Sequence, residues 1–218
     1  MKRLAIAVVS ATAACSGAAA QEDVGYWRGL YVGVHVGGIF SQPHYRELAY
    51  DNYDRNPTIS GVGGGVLAGH NWQSGAMVFG LEADFAGLSA EQGNDVGAPF
   101  NDYTAFQYNW NAHVRGRAGY VFDNVLLFVA GGLAIAEFQV DDTDPGWDEK
   151  TSVLVGWSVG GGMEFMLGDN MTARLEYLYD DYGSDSHVFS EANNGDLPYP
   201  TSWQPTANIV RAAVNWRF

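Results

Sequence analysis

The chain is poor in three things that usually organise a protein of its size: cysteine, charge and long apolar runs. It has one cysteine in 218 residues, and charged residues make up 17% of it against 47% hydrophobic. The single cysteine, Cys15, lies near the amino terminus, so no internal disulfide framework can hold the fold. Past the amino terminus there is no long continuous apolar stretch. A helix needs roughly 20 apolar residues to cross a bilayer, so a helical inner-membrane protein is excluded. Cations are scarce as well, with Lys+Arg 11 against Asp+Glu 25 and a formal net charge of −14. Without a basic cluster, nucleic acid is not an expected partner. The length suits one domain and is too short for two large ones.

The amino terminus reads as an address. Lys2 and Arg3 precede the apolar stretch Leu4 to Val9, and small residues lead to Ala18-Ala19-Ala20. This order of charged, apolar and small residues is that of a secretory signal peptide, with cleavage near Ala20 and a mature chain beginning at Gln21. The expected organisation is a signal peptide over 1–20 and one barrel domain over 21–218. Cleavage removes Cys15 and makes the mature chain more negative. The rival reading makes Cys15 a lipid-attachment site, but the preceding Thr12-Ala13-Ala14 lacks the leucine that a lipoprotein signal usually places three residues before its cysteine.

The remaining chain is built on alternation. In its last segment Val210, Ala212, Val214, Trp216 and Phe218 occupy one face, and Arg211, Ala213, Asn215 and Arg217 the other. Strands of about 9–11 residues with an apolar face outward, a polar face inward and aromatic ends suit a transmembrane β-barrel. Lipid offers no hydrogen-bond partners, and a closed barrel satisfies every backbone group internally. The 28 glycines and 14% aromatic content fit the same reading, as interior space-savers and interfacial girdles.

Short turn signals at Gln73-Ser74-Gly75, Asp123-Asn124 and Gly168-Asp169-Asn170 alternate with long polar stretches at about Ser41–Ser60, Leu88–Gln107, Asp141–Lys150 and Gly183–Ala207, where the prolines gather. The segments between them predict about eight strands, an even number that leaves both termini on the periplasmic side. These are Leu30 to Phe40, Gly61 to Gln73, Met77 to Leu88, Tyr108 to Phe122, Val125 to Val140, Ser152 to Leu167, Met171 to Tyr182 and Asn208 to Phe218. The predicted fold is all-β: an eight-stranded antiparallel transmembrane up-and-down barrel with short periplasmic turns and long outer loops.

Five local patterns recur in this order: Gly29-Leu30-Tyr31-Val32-Gly33, Ala68-Gly69-His70-Asn71-Trp72-Gln73, Gly80-Leu81-Glu82-Ala83-Asp84-Phe85, Gly131-Gly132-Leu133-Ala134 and the terminal Phe218. Together they resemble the small outer-membrane β-barrel family of porin-like, OmpA-like surface antigens of Gram-negative bacteria, over essentially the whole mature chain. At His70 the chain departs from the family pattern, which has an aromatic residue after Ala-Gly. The resemblance implies an eight-stranded barrel delivered to the bacterial outer membrane by an assembly machinery that recognises the terminal aromatics, here Trp216 and Phe218. It does not imply an enzymatic activity or a cofactor.

Alternation places the strand charges on one side. The fourth strand sets Tyr108, Trp110, Ala112, Val114, Ala118 and Tyr120 against Asn109, Asn111, His113, Arg115 and Arg117. The third opposes Met77, Phe79, Leu81, Ala83 and Phe85 to Glu82 and Asp84, and the seventh opposes Ala173, Leu175, Tyr177 and Tyr179 to Arg174, Glu176 and Asp180. In the sixth, Ser158 and Glu164 share the polar face. An Arg facing lipid near the midplane costs about 2–4 kcal/mol. Several would consume a stability that is usually about 5–15 kcal/mol, so the charges are expected inside.

An eight-stranded barrel is just wide enough for side chains to fill. Glu82, Asp84, Glu164 and Glu176 are therefore expected to meet Arg115, Arg117, Arg174 and Arg211 across it, with His113 as a hydrogen-bonding member. The near-balanced set reads as a plug; the alternative is a charged constriction in a narrow porin-like channel.

The excess acid belongs to the outer loops, where Asp141, Asp142, Asp144, Asp148 and Glu149 stand near Lys150 alone. Such acids could take a divalent cation that bridges to lipopolysaccharide, although the spacing is not that of a twelve-residue calcium loop, and no metal site is assigned. The expected partners are outer-membrane lipid, lipopolysaccharide, the assembly machinery and a surface ligand of the acidic loops, with the barrel a monomer. A lipid-modifying enzyme is the third reading. Ser186-His187 and Ser190-Glu191 supply residue types for it, but they are sequence neighbours without a readable oxyanion donor. A soluble lipocalin-like barrel would turn its apolar residues inward, opposite to the pattern here.

Overall fold

The computed structural model of the protein describes residues 26–41, 44–47, 54–55, 59–92, 104–142, 150–183, 185–189 and 199–218. The expected signal peptide, Asp144, Asp148, Glu149, Ser190 and Glu191 lie outside these residues. Among the described residues twelve strands follow one another: β1 (Gly29–Ser41), β2 (His44–Glu47), β3 (Asp54–Arg55), β4 (Ile59–Ser74), β5 (Met77–Gln92), β6 (Thr104–Phe122), β7 (Val125–Asp142), β8 (Lys150–Met166), β9 (Met171–Asp181), β10 (Asp185–Phe189), β11 (Tyr199–Gln204) and β12 (Thr206–Arg217). Eight of them close into a barrel in the order β1-β12-β9-β8-β7-β6-β5-β4. The first and last barrel strands zip together from Tyr31 opposite Arg217 to Ser41 opposite Ala207, so no barrel edge is left open.

These eight strands match the eight expected segments, and several run further at the long-loop end. β5 continues to Gln92 and β6 begins at Thr104. Burial is inverted relative to a water-soluble protein: on β1 Val32, Val34 and Val36 are exposed, while Tyr31, His35 and Ile39 on the opposite face are buried. The tight turns lie at Gly75-Ala76 and Asp123-Asn124, one position on from the first expected signal. Gly75 (φ 57) and Asp123 (φ 51) take the left-handed conformation that a two-residue hairpin turn demands at its first central position.

Two expectations are corrected. The polar stretches read as long loops at 41–60 and 183–207 carry four more strands, which form a separate sheet in the order β10-β11-β2-β3. The two stretches become neighbours because β1 pairs with β12, and β11 then pairs with β2 between Thr201 opposite Glu47 and Gln204 opposite His44. That pairing joins residues far apart in sequence and leaves no local signature.

The second correction is Tyr108, placed by alternation on the lipid face and found buried inside. Pairing between β6 and β7 shifts register between Tyr108 and Trp110, a bulge at Asn109 that reverses the alternation. Tyr108 then stacks on Phe138 at 4.7 Å between ring centroids, and its hydroxyl meets that of Tyr182 at 2.6 Å.

The barrel interior is layered. At the short-turn end Trp27, from the segment preceding β1, is buried among Val78, Leu126, Phe128 and Ala130. At the long-loop end Ile39, Tyr108, Phe138, Leu178, Tyr182 and Ile209 form a second apolar layer. The charged side chains lie between the two.

Tyr108→Phe is expected to lower the unfolding free energy in urea by about 1 kcal/mol through loss of the hydroxyl pair. Tyr120→Phe on the lipid face should change it by less than about 0.5 kcal/mol. Equal effects of the two substitutions would return Tyr108 to the outside.

Candidate functional site

Strand register alone brings four acid–base pairs face to face. Glu82 lies opposite Arg115 and Asp84 opposite His113 between β5 and β6. Glu164 lies opposite Arg174 between β8 and β9, and Glu176 opposite Arg211 between β9 and β12. Directly opposed side chains on one face have Cβ atoms about 4.5–5.5 Å apart, close enough to pair.

Bonds across the barrel then tie these pairs into one body. Arg115 donates to Glu82 and to Glu176, each at 2.7 Å. Arg174 donates to Glu82 at 2.6 Å and through Nε to Glu164 at 3.1 Å. Arg117 donates to Glu164 at 2.9 Å. Arg211 reaches both oxygens of Asp84, at 3.0 and 3.3 Å, and Glu176 at 2.9 Å. His113 stands between two carboxylates, with Nδ1 2.8 Å from Asp84 and Nε2 3.1 Å from Asp180. All nine residues expected in the interior set are buried, and every one of them joins this network.

Several members of the network escaped sequence reasoning. Asp180 was on the inward face by alternation, yet only the fold puts it against His113. Tyr31 carries no charge to draw attention, but its hydroxyl donates to Glu82 at 2.7 Å and accepts from Arg117 at 3.0 Å. Thr172 and Asn215 donate to Glu164 at 2.5 and 2.9 Å. Arg117 also lies 4.4 Å from the centre of the Phe128 ring, which joins the charged layer to the apolar layer beneath it.

Glycine makes room for these long side chains. A Cβ on Gly69 would fall on the Tyr31 hydroxyl and ring, so only glycine lets Tyr31 reach Glu82.

Chemically, this arrangement fixes charge. Glu82, Asp84, Glu164 and Glu176 each accept from two or more side chains, so their lone pairs are engaged by fixed donors. Ser186 and His187 are consecutive positions on β10. Among the described residues no three or more His, Cys, Asp or Glu are grouped so as to hold a metal ion.

At the chain end Trp216 and Phe218 are exposed on the lipid face, and the Phe218 N–H donates to the Leu30 carbonyl at 2.9 Å. Arg217 turns inward below the network, donates to the Asp169 carbonyl at 2.7 Å and faces the Trp27 ring. His70, the departure from the family pattern, packs edge-on against Trp72 at 4.6 Å.

Comparison with known proteins agrees with this architecture. Residues 6–218 match the model of the outer membrane protein beta-barrel domain. The chain is 37% identical over 163 residues to a 22 kDa outer membrane protein of Rhizobium leguminosarum bv. viciae, covering 75% of this chain and 68% of the relative. It is 31% identical over 220 residues to the 31 kDa outer-membrane immunogenic protein of Brucella melitensis, covering 92% and 87%. Among solved structures it is similar to the outer membrane protein OprG of Pseudomonas aeruginosa, with TM-score 0.57, 8% identity and coverage of 88% and 98%. It is also similar to the outer membrane protease OmpT of Escherichia coli, with TM-score 0.52, 11% identity and coverage of 87% and 96%. At such identities the likeness is one of fold alone.

Arg115→Leu is expected to cost about 3–5 kcal/mol, since it strands buried carboxylates. Arg28→Leu, at an exposed position, should stay within about 0.5 kcal/mol. Gly69→Ala should cost about 1–3 kcal/mol by driving Tyr31 off Glu82, while Gly168→Ala, in open space, serves as its control. Urea titrations of the folded protein in detergent read all four, and coincident midpoints for Arg115→Leu and Arg28→Leu would refute the interior role.

Proposed function

This chain belongs to the outer membrane protein β-barrel family, and on that premise we propose that it is a closed, non-enzymatic barrel whose work is done by its outer extension. The observation that carries this reading is the layering of the interior. A charged network that fills the cross-section lies between the Trp27 layer at one end and the Tyr108–Phe138–Tyr182 layer at the other. The cavity bounded by His35, Asn111, His113 and Arg211 has a volume of about 20 Å³. That is room for about one water molecule beside the network.

The charges inside therefore serve as structural filling, and the functional surface is the part that rises beyond the membrane, which includes the β10-β11-β2-β3 sheet. The partners that fit are lipid around the barrel, lipopolysaccharide at its outer rim and a surface ligand of the loops. Trp216 and Phe218, exposed at the chain end, fit recognition by the barrel-assembly machinery after removal of residues 1–20. The Brucella relative is named for its immunogenicity, and a surface-displayed extension here would be antigenic in the same way. The barrel acts as a monomer on this reading, since closure leaves no barrel edge for a second copy.

Single-channel recording in planar bilayers tests the closed interior, using protein shown to be folded by heat-dependent gel mobility. The expected result is no conductance above background. Stable steps that shift when Arg115 or Glu82 is replaced would make the protein a narrow channel with these charges as its filter.

A further inference from the structure

The central charged network does not balance on arginine alone. It holds five buried carboxylates, Glu82, Asp84, Glu164, Glu176 and Asp180, and four guanidinium groups, Arg115, Arg117, Arg174 and Arg211. Arg217, also buried, makes no hydrogen bond to these carboxylates and lies at the short-turn end on the Asp169 carbonyl. One negative charge would remain inside a water-poor space, where an uncompensated ion is strongly disfavoured.

His113 occupies the place of the missing cation. Its Nδ1 is 2.8 Å from Asp84 Oδ1 and its Nε2 is 3.1 Å from Asp180 Oδ2, and all three side chains are buried. A neutral imidazole has one N–H and one lone pair, so it would satisfy one carboxylate and turn a lone pair on the other. An imidazolium donates to both. Asp84 receives guanidinium N–H groups on both oxygens from Arg211, which marks it as the ionised form.

We infer that His113 is the fifth cation of this network, an imidazolium that bridges Asp84 of β5 and Asp180 of β9 and closes the network's charge to zero. The other groups around it are accounted for. Arg211 of β12 and Arg115 on its own strand are committed to Asp84, Glu82 and Glu176. Tyr182, beyond β9, donates to Asp180 at 3.1 Å and also meets Tyr108 of β6. His35 of β1 lines the same small cavity. Ala134 of β7, opposite His113 in register, and Ser158 of β8, opposite Asp180, bring no charge.

The sign of the pH dependence follows. The stabilisation by the fifth cation is present while the imidazolium holds its proton and is lost as pH rises and the proton leaves. The network then carries one excess negative charge, next to the outer apolar layer.

The first test is the long-range nitrogen–proton spectrum of histidine-labelled protein, folded in detergent at about pH 7, with His113 assigned from the His113→Gln variant. Protonated-type shifts on both ring nitrogens are expected. A bare nitrogen, with the proton absent or residing on Asp180, overturns the inference. The second test is a charge rescue read by urea midpoints. His113→Gln should lower the midpoint, and adding Asp180→Asn, which restores four acids against four cations, should recover most of the loss. A double variant that is less stable than His113→Gln alone overturns it too.

Discussion

Lipid cannot hydrogen-bond a peptide group, and the architecture of this protein follows from that. An open sheet in the bilayer would leave a row of N–H and C=O groups unpaired along each edge, at several kcal/mol apiece. The pairing of β1 with β12 removes both edges at once. Once the sheet is closed, each strand has one face to lipid and one to the interior, and the two faces must differ in kind. Val32, Val34 and Val36 lie outside because nothing outside can solvate a charge, and the charged residues have only the interior left to them.

Closure at eight strands then sets the terms for that interior. The space is narrow enough for side chains from opposite walls to touch, so charges forced inward end as partners. Arg115 bonds its neighbour Glu82 and, across the barrel, Glu176. Such a network is not a surplus of stability, because taking ions out of water costs about as much as their attraction returns. Its effect is conditional: with all members present the interior is satisfied, and with one removed the others are left buried without a partner. Tyr31, Thr172 and Asn215 belong to the same logic, neutral donors that fill the remaining acceptor sites of Glu82 and Glu164.

Strand length carries the barrel sheet beyond the apolar band of a membrane. β6 has 19 residues. At about 3.3 Å per residue and a tilt of roughly 40° it rises about 48 Å, against an apolar band about 25 Å tall. About 20 Å of sheet therefore stands clear of the hydrocarbon, on the side where the polar stretches from both ends of the chain meet. Tyr108, Phe138 and Tyr182 pack together at that end, and the stretches that leave β1 and precede β12 pair in the β10-β11-β2-β3 sheet.

The sequence by itself determined the class of fold, the eight barrel strands within a few residues, and the side to which nearly every residue of those strands points. These are properties of neighbours: a period of two between residues such as Val214 and Trp216 can be read within one segment. The inward set of Glu82, Asp84, His113, Arg115 and Arg117 was legible for that reason. Tertiary structure decided who meets whom, since that depends on register and closure between strands dozens of residues apart. The contact of His113 with Asp180, the seating of Tyr31 over Gly69 and the burial of Trp27 at the barrel floor are all of this kind. A single extra residue at Asn109 turned Tyr108 from lipid to core, because one residue of shift exchanges the two faces of a strand. Alternation is local and could be read from the chain, whereas the bulge and the pairings are settled only when the last strand closes on the first.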